Sequence, residues 1–458
     1  MAGRTGARRR GGRWIEHWEP EDEAFWEGGG KRIASRNLAF SVLSEHIGFS
    51  VWSLWSVMVL FMGPEYGVDP AGKFFLVCMP TLVGGLVRIP YAFAVAVFGG
   101  RNWTIVSALI LLFPVTALWL VMEPGTSYTT LMLVAALTGV GGGNFASSMT
   151  NINAFYPQRR KGWALGMNAG GGNIGVPVVQ LIGLAVIAAA GGPRVLLAVY
   201  TPLILVAVLG AALFMDNLAP VSNDTGAARE AVREPQTWIM AVLYVGTFGS
   251  FIGFSFAFGL VLQNQFGRTP YEAAQLTFIG PLIGSLIRPL GGMLADRVGG
   301  ARITFWNFVV MAVCASVVIY ASLEESLGIF LVGFVGLFFF AGLGNGSTYK
   351  MIPAIFRAKA RERGMTGDGA EAWTRRLSGA AMGLIGAVGA LGGLLINLAF
   401  RQSFLSADSG TPAFVSFLGA YAVCSTLTWA AYLRGPAPSG PGELRERSRE
   451  PALSHAEI

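Results

Sequence analysis

Apolar runs of about eighteen residues or more recur along the whole chain, and each is long enough to cross a bilayer as a helix. They fall near residues 37–63, 71–98, 103–122, 128–156, 161–190 and 193–216, then near 237–264, 271–296, 302–322, 326–356, 378–400 and 412–433. Of the 458 residues, 53% are hydrophobic and 13% charged. The charged share is about half of that in soluble domains. A surface this apolar calls for lipid as solvent, so the pattern predicts an all-α membrane protein with twelve spans. Cys78, Cys314 and Cys424 lie far apart in apolar stretches without ligand spacing and read as small buried hydrophobes. No metal or nucleophile constellation appears, and His17 and His455 lie in the tails, so an enzyme with a metal or other cofactor is not expected.

The net charge of +7 is explained by where the cations lie. Loops on the side of the N-terminus carry Arg101, Arg159, Arg160, Lys161, Arg229, Arg233, Arg297, Arg302, Arg357, Lys359, Arg361, Arg363, Arg375 and Arg376. The opposite loops hold only Lys73, Arg194, Arg268 and Arg401. This bias predicts that both termini face the cytoplasm and makes a nucleic-acid partner an unnecessary explanation. The resulting layout is a cytoplasmic tail (1–36), a six-helix bundle (37–216), a polar cytoplasmic linker (217–236), a second six-helix bundle (237–434) and a cytoplasmic tail (435–458). The N-terminal tail holds Arg4, Arg8, Arg9, Arg10 and Arg13, then acids interleaved with Trp14, Trp18 and Trp26, a mix suited to the membrane surface.

The two bundles repeat each other. VRIPYAFAVAVFGGR (87–101) parallels IRPLGGMLADRVGGAR (287–302), aligning Arg88 with Arg288 and Gly99 with Gly299. GNFASSMTNINAF (143–155) parallels GNGSTYKMIPAIF (344–356). A charge at mid-bilayer costs about 2.5–3.5 kcal/mol on insertion scales, so one retained there points to function. Arg88 and Arg288 lie inside the second and eighth spans, before Pro90 and Pro289, with no acid at that depth in either span. A pseudo-twofold would aim both at one cavity. Two guanidiniums that cannot lose their protons favour a planar oxyanion, unless a carboxylate such as Glu45 takes one of them. Bound anion would bridge the pair; an empty site would hold two like charges that resist closure, which is a physical route to exchange.

Glycines at 162, 166, 170, 171 and 175, and at 379, 383, 386, 389 and 393, recur at helical spacing and predict close backbone approach along two faces. Asn144, Asn151, Asn153, Asn168 and Asn173 add amides to the same helices, with Asn173 placed in the cavity. Glu45 and His46 form a titratable pair in the first span, suited either to proton coupling or to mutual structural satisfaction. Lys350 is a further cation, at a gate, a lipid rim or the anion path.

The stretch 139–176 and the run FAGLGNGSTYKMIPAIF (340–356) resemble the two signatures of the nitrate/nitrite porter (NarK-type) family of the major facilitator superfamily. GMLADRVGG (292–300) resembles the superfamily's cytoplasmic loop motif. The resemblance covers nearly all of residues 37–433. It implies a secondary active transporter of nitrate and nitrite in the cell inner membrane, working by alternating access in nitrate/nitrite exchange or proton-coupled uptake, with no cofactor. It implies that Arg88 and Arg288 clamp the anion, that Asn173 donates to it, and that Tyr244, Phe248 and Phe145 wall the pocket. Where the family has Gly one turn before the Asn, this chain has Ala169, which bears on the shape of the site. Asp296 and Arg297 would serve the gating loop. The expected surroundings are nitrate, nitrite and membrane lipid, a functional link to a nitrate reductase, and action as a monomer. Another small anion such as formate, or a sensor that binds nitrate without moving it, are the alternatives.

Overall fold

The computed structural model describes residues 9–10, 13–189, 191–219 and 224–434, with side chains from Arg13 onward. Arg4, Arg8, the side chains of Arg9 and Arg10, and the tail 435–458 with His455 lie outside the described residues. Twelve long helices dominate the described residues: α1 Lys31–Trp52, α2 Pro70–Phe98, α3 Gly100–Val121, α4 Tyr128–Phe155, α5 Gln158–Ala188 and α6 Pro193–Phe214. The second set is α7 Pro235–Phe266, α8 Pro270–Val298, α9 Gly300–Leu323, α10 Leu327–Glu362, α11 Gly367–Ala407 and α12 Thr411–Leu433. All but α1 are long and apolar enough to cross a membrane; α1 carries Lys31, Arg32, Arg36 and Glu45 and breaks at Ser53 before Trp55–Met58. It begins at Lys31 rather than near 37 because the preceding glycines join it directly to the tail.

The internal repeat survives in backbone detail. Gly99 and Gly299 end α2 and α8 at φ 86° and 98°, where a side chain would be strained. The halves meet at the end with few cations. There Phe74 of α2 stacks on Phe400 and Phe404 of α11, with ring centroids 5.4 and 5.1 Å apart. Gln180 of α5 donates to the Ser255 carbonyl of α7 at 2.9 Å.

At the other, cation-rich end the predicted glycine faces behave differently from expectation. A Cβ at Gly166, Gly170, Gly379 or Gly383 would meet nothing within 4 Å, so these glycines border open space. Further along the same two faces the expected close approach is made: Gly175 meets the His46 carbonyl, Gly171 meets Val42, Gly389 meets Tyr244 and Gly393 meets Ile252, while outside these faces Gly342 meets Gly284. Spacing by four fixes a face, and at the cation-rich end that face looks onto the gap. Asn153 likewise is exposed, whereas Asn144, Asn151, Asn168 and Asn173 are buried.

The described part of the tail is docked on the protein. Strand β1 (Arg9–Arg10) pairs antiparallel with β2 (Trp14–Ile15), which pairs in parallel with β3 (Asn217–Leu218). Ile15, Trp26, Ile152, Phe155, Tyr156 and Leu218 make a second, smaller core. Trp18 donates to the Phe155 carbonyl at 3.2 Å, and Trp26 sets its ring edge on Tyr156. The rings of Trp18 and Trp26 thus add aromatic packing to this second core. The linker helix Thr225–Arg233 is tied to the second half, with Glu230 paired to Arg376 at 2.7 Å and Glu234 to Lys359 at 2.7 Å.

Candidate functional site

The two arginines end where α-helical winding is interrupted. In α4 a 3-10 turn runs over Gly139–Gly143, and in α7 a π turn runs over Val245–Gly249. Such turns leave backbone groups without their usual partners and re-aim side chains. Arg88 is 1% exposed and uses the freed carbonyl of Gly142, donating from Nε at 3.2 Å. Its Nη1 reaches across to the Gly386 carbonyl of α11, in the opposite half, at 2.9 Å. Its guanidinium carbon lies 4.6 Å from the centroid of Phe145, 4.9 Å from that of Phe248 and 5.3 Å from that of Trp52. Aromatic faces of this kind attract a cation and help to keep it charged away from water.

Arg288 is 6% exposed and donates from Nη2 to the Tyr244 hydroxyl at 3.2 Å. Tyr349 flanks it, with the ring centroid 6.0 Å from the guanidinium carbon. Tyr244 stacks on Phe248 at 5.2 Å, and Phe248 stacks on Phe145 at 6.2 Å. An unbroken path of rings thus joins the two guanidiniums across the interface between the halves. Among the described residues neither arginine contacts a carboxylate, so Glu45 does not neutralise either by direct pairing.

Asn173 and Ala169 are one helical turn apart on α5 and both are buried. Neither amide atom of Asn173 has a partner, and neither has Nη2 of Arg88 nor Nη1 of Arg288. A buried donor left unpaired costs about 1–3 kcal/mol. The two guanidinium donors, joined through the ring path, are expensive unless an acceptor visits them. What they can hold chemically is a small anion rich in acceptor oxygens.

The other candidates separate. Glu45 and His46 do not satisfy each other, because neighbouring helical residues point in different directions. His46 turns its Nδ1 to the Gly171 carbonyl at 3.2 Å. Glu45 accepts from Ser148 of α4 and from Asn168 of α5. Asp296 lies at the cation-rich end, paired with Lys350 of α10 at 3.0 Å, and Arg297 beside it is exposed. Lys350 therefore belongs with the loop motif and not with the arginine pair. Trp52, Tyr349 and the carbonyls of Gly142 and Gly386 are parts of the site that motif spacing did not single out. A hint lay in the second signature, where Tyr349 follows Asn345 by one helical turn.

Two bundles closed against each other at one end, with paired buried cations between them, define a membrane carrier of the rocking type. A family model described as Major Facilitator Superfamily matches residues 40–395. The chain belongs to the Major Facilitator Superfamily and, within it, to the nitrate/nitrite porter family. It is 39% identical to the nitrate/nitrite transporter NarU of Salmonella typhimurium over 450 residues, covering 92% of this chain and 96% of that one. It is 36% identical to NarU of Escherichia coli K12, with the same coverage. The probable nitrate/nitrite antiporter NarK2 of Thermus thermophilus is 32% identical over 455 residues, covering 92% and 97%. Among solved structures, the D-xylose-proton symporter superposes with a TM-score of 0.64 at 13% identity, over 87% of this chain and 97% of that one. The human organic anion transporter MFSD10 gives 0.61 at 11% identity, over 87% and 99%. At such identities these two report the fold alone.

Proposed function

We propose that the chain carries nitrate and nitrite across the cell inner membrane by alternating access, with the anion held between Arg88 and Arg288. The observation that carries this reading is the set of orphaned donors: Arg88 Nη2, Arg288 Nη1 and Asn173 Nδ2 are buried and unpaired. Nitrate offers three acceptor oxygens in a plane, and guanidinium is shaped for planar oxyanions. Phe145, Phe248 and Tyr244 wall the site, and Ala169 narrows it beside Asn173. The related nitrate/nitrite transporters, at 32–39% identity, support the choice of anion.

The cation-rich end, with both termini, faces the cytoplasm in this proposal. The open glycine faces of α5 and α11 lie at that end, so the conformation described is inward-facing. Anion bridges charges contributed by opposite halves and so favours their closing together; Asp296, Arg297 and Lys350 act at the cytoplasmic gate. The site needs no cofactor, and a nitrate reductase would be its functional neighbour.

The test is uptake of labelled nitrate into proteoliposomes preloaded with nitrite, with unlabelled nitrate, nitrite and formate as competitors. Uptake competed by nitrate and nitrite, and weakly by formate, is expected. Uptake competed best by formate would replace the substrate. Binding without flux would make the protein a sensor.

A further inference from the structure

Glu45 is a carboxyl group that the anion site leaves unexplained. It is 0% exposed, in the middle of α1, and makes no ion pair among the described residues. Its Oε2 accepts from the Ser148 hydroxyl and from Asn168 Nδ2, the latter at 2.6 Å. Its Oε1 has no partner and is seated against Gly172, where any Cβ would overlap it. The charged groups that act on it are Arg88 from α2 and Arg288 from α8. Tyr349 of α10 lies within electrostatic reach. Of its other neighbours, His46 on α1 is turned to the Gly171 carbonyl, and among the described residues α4 and α5 contact it through Ser148, Asn168 and Gly172. Two buried cations therefore lie within electrostatic reach of one buried carboxyl.

Resting on the anion reading above, we infer that Glu45 is a proton site that replaces the anion's charge when the carrier is empty, making the protein a proton-coupled importer. With the anion bound and Glu45 protonated, the two arginines and the anion leave one net positive charge. With the anion gone and Glu45 ionised, the arginines and the carboxylate again leave one. Both return legs of the cycle then move a site of the same charge. The empty carrier is not stopped by two unscreened guanidiniums, which is what net uptake requires. The proton comes from water on the outer side, binds a carboxylate oxygen, and leaves to water on the cytoplasmic side together with the anion. Bound anion cancels the field that favours the carboxylate, so anion and proton each strengthen the other's binding, as linkage demands.

The hydrogen-bond trio accommodates both states. Asn168 donates from Nδ2 to Glu45 and to Ser148, while its Oδ1 is buried and unpaired. A half-turn of the amide exchanges donor for acceptor, and a protonated carboxyl then donates to the amide oxygen. A purely structural staple needs only one of these arrangements.

The experiment uses proteoliposomes in two modes. An inward proton gradient should drive accumulation of labelled nitrate into vesicles free of internal anion. Glu45→Gln should lower that accumulation at least tenfold while still exchanging labelled for unlabelled nitrate, because its empty site keeps both charges. Glu45→Asp should restore part of the gradient response, and His46→Gln should keep it. Accumulation by Glu45→Gln equal to the wild type, or wild-type uptake only against internal anion, overturns the proposal and leaves nitrate exchange standing. A wild type that neither exchanges nor binds labelled nitrate overturns the anion reading itself. Should Glu45→Gln not fold, the wild type alone decides. Nitrate added to the detergent-solubilised protein in weak buffer should draw up to about one proton per anion, and its affinity should fall up to tenfold per pH unit as pH rises, the limit set by one-proton linkage. No proton uptake refutes the proposal.

Discussion

Arg88→Lys keeps the charge and removes the fork. In the wild type, two nitrogens of the guanidinium are committed to backbone carbonyls, Nε to Gly142 at 3.2 Å and Nη1 to Gly386 at 2.9 Å. That leaves Nη2 for the anion. A single ammonium cannot reach both carbonyls and the anion at once. The substitution therefore loses at least one charge-assisted hydrogen bond, worth about 1.5–3 kcal/mol. It also gives up part of the guanidinium's contact with three rings, each worth about 0.5–1 kcal/mol or more. A combined loss of about 2–4 kcal/mol corresponds to nitrate binding weaker by about 30-fold to several hundredfold. The assay is equilibrium binding of labelled nitrate to purified protein, followed by exchange in vesicles. If the site worked by positive charge alone, lysine would serve nearly as well. A variant within threefold of the wild type in both measurements would refute the fork geometry.

Asn173→Ala removes two amide atoms that have no partner in the folded protein. Thermal stability in detergent should hold or rise, while nitrate affinity falls about tenfold, the worth of one hydrogen bond. Gly291→Ala would press a methyl group into the Leu343 carbonyl where α8 crosses α10, whereas Gly166→Ala enters open space. The first should unfold well below the wild-type temperature, and the second should match it in the same thermal scan. Trp26→Ala empties a fully buried position under the tail and should cost about 3–5 kcal/mol locally. Protease cleavage between residues 13 and 30 would report it, and cleavage no faster than in the wild type would show that the tail does not depend on this anchor.

How much of this was legible in the sequence varied with the kind of force involved. Arg88 and Arg288 stood out because charge in lipid is costly enough to be kept only for a purpose. The repeat of Gly99 at Gly299 was readable because a positive φ restricts the residue type. The faces of Gly166 and Gly383 were readable as faces, yet spacing carries no information on whether a face meets a partner or a gap. Tyr349 and Trp52 look like ordinary apolar helix residues, and only the position of the guanidiniums gives them a role. The tail was opaque for a related reason. Trp18 and Ile15 have no periodicity of their own and acquire structure from Phe155 and Leu218, which lie far along the chain. Glu45 was visible as a charge, but its partners Ser148 and Asn168 come from two other helices.

The pairing of β2 with β3 ties Trp14 and Ile15 to Asn217 and Leu218, the two ends of the first bundle. A chain made from its N-terminus cannot seat its own beginning until residue 218 has left the ribosome. Until then Ile15 and Trp26 lack part of the core that covers them. Once residue 218 arrives, the first six helices are clasped at both ends before the second six have been synthesised. At that moment one half is fastened and the other is still to come.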